Sequence, residues 1–244
     1  MDNTSLETGP SSASEQSLLA RVMGVVTSPG ATFKSVVAHP KWLGVLVLTT
    51  VVGAVFAALP MTTEGGQQAA IDTNVKTMEG LGVQVNDDMY AGMQRSASNM
   101  AYTTGGSVLL IVPLFALLLS GILFGIFAIM GGGATFKQIF AVYVHAAVIS
   151  TLGGVFTGTI NYFRQSMSSA TNLSAMLPML EEGTFVARLA GFVDLFVIWW
   201  LTVLAIGLAV LYRRKTQSVA IILFSIYAVI ALAIAGVMSM VAGR

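Results

Sequence analysis

The sequence predicts an all-α polytopic membrane protein, a bundle of five transmembrane helices preceded by an amphipathic interfacial helix. Scarcity of charge is the first reason. Only 9% of the 244 residues are charged and 55% are hydrophobic, against about 25% charged in an ordinary soluble domain. With a mean hydropathy of +0.81, the chain lacks the polarity to wet a soluble surface, which excludes the soluble two-domain enzyme that the length alone allows. Patterning is the second: the apolar residues fall in blocks, several near the roughly 20 residues that cross a hydrocarbon core of about 30 Å. The third is that nearly all the charge lies between those blocks.

Taken in order, residues 1–17 (MDNTSLETGPSSASEQS) hold no basic residue and no apolar core. A cleavable signal peptide needs both, so this stretch reads as a disordered cytoplasmic tail. Residues 18–41 are half apolar and contain Ser28-Pro29, a helix-start signal with Pro at the first helical position. Phe33, Val36 and Val37 share one face, with Lys34, Ser35 and His39 elsewhere. That pattern suits a helix lying in the cytoplasmic interface, or a linker helix packed on the bundle. The membrane domain, 42–241, has spans at about 42–59, 108–130, 139–160, 189–211 and 218–241. The third is the least apolar, rich in Gly and Thr and holding His145. The outer loop 61–105 is acidic and, beyond Pro60, free of proline; Ile71, Val75 and Met78, then Met89, Met93 and Met100, recur at helical spacings, with a turn available at Gly80-Leu81-Gly82. A second outer loop from Asn161 to Thr184 carries Met167, Met176 and Met179.

Orientation follows from Lys and Arg near the span ends. With the amino terminus cytoplasmic, the inner side collects Arg21, Lys34, Lys41, Lys137, Arg213, Arg214 and Lys215. The outer side then holds Lys76, Arg95, Arg164, Arg188 and Arg244 beside the acids Glu64, Asp72, Glu79, Asp87, Asp88, Glu181 and Glu182, and the carboxyl terminus lies outside. A formal net charge of +1 offers no basic field for nucleic acid. The absence of cysteine removes disulfides, thiolate metal sites and cysteine nucleophiles. The expected partners are the lipid bilayer and another membrane protein or a second copy of the chain.

Asp194, inside the fourth block, is the most conspicuous residue, because a carboxylate at membrane depth is costly and by default a functional hypothesis. It lies about 8 Å below the outer surface if that helix begins at Leu189, or about 14 Å if it begins at Phe185. It reads as a proton or cation site, as a polar hinge, or as a carboxyl bonded to a neighbouring helix. His145 in the third span is the available partner, but the vertical gap is roughly 8 to 13 Å and a hydrogen bond needs under about 3.2 Å. Arg188 snorkels to the outer interface, six residues from Asp194 and so out of phase for an intrahelical pair. Trp199 and Trp200 sit mid-span, where packing is the expected role. Gly121-x-x-x-Gly125 and Gly154-x-x-x-Gly158 allow close backbone approach and favour a pairing of the second and third spans. The outer-loop methionines suit soft copper(I) in principle, yet no Cys or His accompanies them, and Met is also the ordinary filler of adaptable apolar surfaces. No phosphate-loop, serine-hydrolase, zincin or kinase signature occurs. No catalytic set, cofactor site or metal site is therefore expected.

Two stretches resemble the bacterial branch of the Yip family, named for membrane proteins that interact with Ypt/Rab GTPases. One is the approach to the first span, Ser28-Pro29-Gly-Ala-Thr-Phe33-Lys-Ser-Val-Val-Ala-His39-Pro40-Lys-Trp42. The other runs from Phe192 to Ala209 and carries Asp194, Phe196, Trp199 and Gly207 on the family's D-x-F-x-x-W…L-x-x-G pattern. The resemblance covers about residues 18–240. It implies a five-helix integral membrane protein with a cytoplasmic amino terminus, in the bacterial inner membrane, and suggests an accessory role beside ABC-type exporters. The Asp-Leu-Tyr-Gly-Pro stretch of eukaryotic members is absent from the tail, so GTPase binding is not carried over. The sequence thus points to a non-enzymatic scaffold or accessory subunit. The alternative is a small proton- or cation-coupled carrier or channel using Asp194.

Overall fold

A computed structural model describes residues 17–177, 179–181 and 183–242. The polar tail expected over 1–17 lies, but for Ser17, outside the described residues. Among those residues every regular element is a helix, and five helices are long and apolar enough to cross a membrane. The architecture is an all-α polytopic bundle.

The approach to the membrane is two helices rather than one. α1 (Leu18–Thr27) is capped by the Ser17 hydroxyl, which accepts from the Ala20 amide. It ends at Ser28, because the residue before a proline is pushed out of helical backbone. α2 (Pro29–Ala38) then starts with Pro29 in its first turn. The two fold tightly on each other: a Cβ on Gly24 would lie 2.3 Å from Thr32 Oγ1. Phe33 and Val36 are fully buried, and α2 packs on the bundle. Where one helix was expected over 18–41 there are two, and the packing of α2 matches the alternative of a linker helix docked on the bundle.

α3 (Leu43–Ala58) runs on as a 3-10 turn, Leu59–Thr62. The loop that follows contains α4 (Glu64–Gly80), started by the Thr63 hydroxyl, and α5 (Asp87–Arg95), started by the Asn86 side chain. Asp87 and Asp88 in the first turn of α5 and Arg95 in its last match the helix dipole. Gly82, at φ +80°, makes the turn between α4 and α5, and Gln68 Nε2 donates to Tyr90 Oη across the pair at 2.8 Å. α6 (Met100–Ile129) carries Pro113 inside it. α7 (Phe136–Arg164) opens on a capping box made by Thr135 and Gln138. The short helices α8 (Leu173–Met176) and α9 (Phe185–Phe192) precede α10 (Leu195–Tyr212) and α11 (Thr216–Ala242).

α7 is the centre. It lies between α3 and α10, with α6 against α3 and α7, and α11 against α10. Hydropathy tracks that arrangement. The most apolar window of α7 has a mean hydropathy of 1.9 and is 56% buried, whereas those of α6 and α11 reach 2.7 and are 17% buried. The helix that read as the least apolar span is the one surrounded by protein, where lipid does not demand hydrophobicity. Both ends of the bundle are built locally. At one, Gln138 Nε2 reaches the Val37 carbonyl (3.3 Å) and Arg214 Nη2 the Met130 carbonyl (2.9 Å). At the other, Gly65 abuts Gln165, and Val241 comes against Gly82.

The small-residue faces differ from their expected use. A Cβ on Gly158 would lie 2.3 Å from the Phe56 carbonyl oxygen, so Gly158 sets the approach of α7 to α3, not to α6. A Cβ on Gly121, Gly125 or Gly154 would meet nothing within 4 Å. The second and third spans do pair, since α6 packs on α7, but these glycines are not what brings them together. Spacing identifies a face but not the neighbour that meets it.

Candidate functional site

The fourth apolar block is broken. α9 stops at Phe192, Val193 and Asp194 take extended or non-helical backbone, and α10 starts at Leu195. Asp194 is the N-cap of α10: its Oδ1 accepts from the amides of Phe196 (2.9 Å) and Val197 (3.2 Å). Its Oδ2 accepts from the Thr171 hydroxyl. The α10 helix has 18 residues, about 27 Å at 1.5 Å per residue, which is nearly the thickness of a hydrocarbon core. The continuous helix expected over 189–211 is instead interrupted just before Asp194. The carboxylate lies at the end of a membrane-length helix, where helix starts favour Asp.

The backbone groups freed by the break are met by neighbours. Residues Asn172 and Asp194 form an isolated antiparallel bridge, in which the Leu173 amide donates to the Val193 carbonyl (2.8 Å) and the Leu195 amide to the Thr171 carbonyl (3.1 Å). From α11, Tyr227 Oη donates to the Phe192 carbonyl at 2.7 Å. Three hydrogen bonds, with the segment Thr171–Leu173 and with α11, thus latch one interruption, as apolar surroundings require of buried peptide groups. Thr171, Asn172 and Tyr227 were not singled out in the sequence. The signal that points toward the break is an Asp immediately before the apolar run Leu-Phe-Val, a helix-start pattern.

His145 lies elsewhere. It is fully buried on α7; its Nδ1 stands 2.7 Å from the Ala141 carbonyl, which only accepts, so Nδ1 carries the proton. Nε2 has no hydrogen-bond partner. The level of Asp194 on α7 is marked by Gly153, against which the Phe196 ring packs. His145 is eight residues further along the helix, about 12 Å, and the structure does not bring the two together. Arg188 belongs to α9, is half-buried at most, and donates from Nε to the Gly183 carbonyl at 2.8 Å.

The remaining positions of the D-x-F-x-x-W…G pattern are packing positions. Phe196 lies against Phe156 and Trp199 (ring centroids 5.9 and 6.2 Å). A Cβ on Gly207 would lie 2.6 Å from Val142 and 3.0 Å from the Phe33 ring. Only glycine there lets α2, α7 and α10 meet. The outer-loop methionines also gather: Met93, Met100 and Met167 join Met61 around a cavity of about 730 Å³ lined otherwise by uncharged side chains.

A latched five-span bundle whose polar side chains near and within the membrane mostly hold the fold together defines the class, an all-α integral membrane protein. Residues 23–238 match the family model described as Yip1 domain, a region that takes in both stretches from Ser28 to Trp42 and from Phe192 to Ala209, and the chain belongs to that family. No curated protein and no solved structure matches it.

Proposed function

We propose that the protein is a non-enzymatic scaffold or accessory subunit of a membrane complex in the bacterial inner membrane, with its amino terminus cytoplasmic and its carboxyl terminus outside. The observation that carries this reading is the use of Asp194. The charged residue that stands out in the sequence is engaged by three donors of its own chain. Meanwhile α6 presents Leu110, Leu114, Phe115 and Leu118 outward, beside the open Gly121 and Gly125. An outward helix face with small residues suits helix–helix association in lipid. Family resemblance names an ABC-type exporter as the partner class.

Photo-crosslinking from Leu118 in native membranes tests it. A discrete protein adduct that survives mild detergent, identified as an exporter subunit or another membrane protein, is the expected result. Crosslinks to lipid alone, with recovery of an inert monomer, would overturn the proposal.

A further inference from the structure

At the end of the bundle opposite Asp194, the turn between α6 and α7 and the turn between α10 and α11 enclose a cavity of about 370 Å³, lined by Gly131 to Ala134, Tyr212, Arg213 and Arg214 among others. We infer that this cavity is a binding site for a phosphate group, carried either by an anionic phospholipid headgroup or by a free phosphorylated solute.

Its floor is rigid. Tyr212 stacks on Phe127 with ring centroids 4.5 Å apart and planes 9° from parallel. The glycine turn lies directly on that tyrosine: a Cβ on Gly132 would fall 2.3 Å from Tyr212 Cε1 and 2.7 Å from the Phe127 carbonyl oxygen. Gly131, at φ +80°, takes backbone that favours glycine. Arg214 ties the two turns together through the Met130 carbonyl, which occupies one edge of its guanidinium.

The donors left over fit an oxyanion. The amides of Gly131 and Gly132 are used within the turn, donating to Ala128 and Phe127, and that of Thr135 donates to Gln138. Those of Gly133 and Ala134 donate to no acceptor among the described residues, and successive free amides in a turn make an anion-binding concavity. Arg213, held at φ +51°, a conformation L residues rarely adopt, brings a second guanidinium with no partner among the described residues. Among the described residues no carboxylate lines the cavity. Two planar guanidinium forks beside free amides match the oxygens of a phosphate. The volume leaves room for a glycerol-sized substituent, and the turns join helices long enough to cross a membrane, whose ends are where headgroups would meet them.

The test uses the full-length protein in detergent, with native mass spectrometry reading bound phosphatidylglycerol against phosphatidylcholine. Arg213→Gln removes a guanidinium that bonds to nothing among the described residues, and the chain already tolerates Gln in this conformation at Gln165. Lys215→Gln removes the same charge from a residue that does not line the cavity. The expected result is selective retention of phosphatidylglycerol, weakened about tenfold by Arg213→Gln, the scale of one charge-assisted contact, and unchanged by Lys215→Gln. Displacement of the lipid by millimolar sodium phosphate identifies phosphate itself as sufficient; persistence of the lipid identifies the headgroup. Equal binding of phosphatidylcholine, or equal loss in the two variants, would overturn the assignment.

Discussion

The Asp194 carboxylate accepts from the Phe196 and Val197 amides and from the Thr171 hydroxyl, so its loss reaches both α10 and the segment that docks on it. Asp194→Ala removes the cap and leaves those donors unanswered, at a cost of about 1–2 kcal/mol. Asn caps nearly as well as Asp, so Asp194→Asn should restore most of that stability, read as the unfolding midpoint in detergent. The same pair separates an architectural carboxylate from a carrier's. An Asp194-dependent proton or cation flux in proteoliposomes, abolished in Asp194→Asn at unchanged stability, would make Asp194 a transport site. Retained cellular function in Asp194→Asn and loss in Asp194→Ala is the expected outcome. Asp194 was conspicuous in the sequence for its cost at membrane depth, but the helix break before it was not foreseen. Leu189 to Val193 are all apolar or small, and nothing in a hydropathy profile separates a docked short helix from the first turns of a span. The cap pattern at Asp194-Leu195-Phe196 holds the missing information, because it concerns backbone hydrogen bonds and not hydrophobicity.

At the scale of the helix, the seams are set by single glycines whose partners differ from those that spacing suggests. A methyl group at Gly158 would press on the Phe56 backbone at 2.3 Å, and backbone cannot turn aside as a side chain can. Gly158→Ala should therefore force α3 and α7 apart and cost about 1–3 kcal/mol by overpacking. Gly121→Ala and Gly125→Ala enter open space and gain helix propensity, so within the isolated protein they should be neutral or stabilising by up to about 1 kcal/mol. Unfolding midpoints of the three variants, measured side by side in one detergent, check the contrast. Five apolar blocks were legible because lipid imposes length and hydropathy on each span independently. The seams were not, because Gly153, Gly154 and Gly158 all look alike until the Phe196 ring and the Phe56 carbonyl are in place. Phe33 is a similar case: its place on an apolar face was readable, but its burial beside Gly207 joins residues far apart in the chain.

For the whole molecule, an odd number of long helices puts the two ends of the described chain at opposite ends of the bundle. The end that holds α2 and the turns around Met130 and Arg214 carries Lys34, Lys41, Lys137, Arg213, Arg214 and Lys215, with no acidic residue beside them among the described residues. The opposite end, with α4, α5 and the Asp194 latch, carries Glu64, Asp72, Glu79, Asp87 and Asp88. Basic turns are retained on the cytoplasmic side, so the proposed orientation would place the phosphate cavity in the inner leaflet. Because the chain has no cysteine, a single introduced thiol reports its own side without background. Asp88 and Lys215 are both exposed and lie at opposite ends. With a membrane-impermeant maleimide, Asp88→Cys should label in intact spheroplasts, and Lys215→Cys only after the membrane is permeabilised. The reverse pattern would invert the molecule and leave the basic turns outside. Labelling of both in intact cells would mean that one of the helices between them does not cross, and α7, the least apolar of the five, is the helix on which that result would bear.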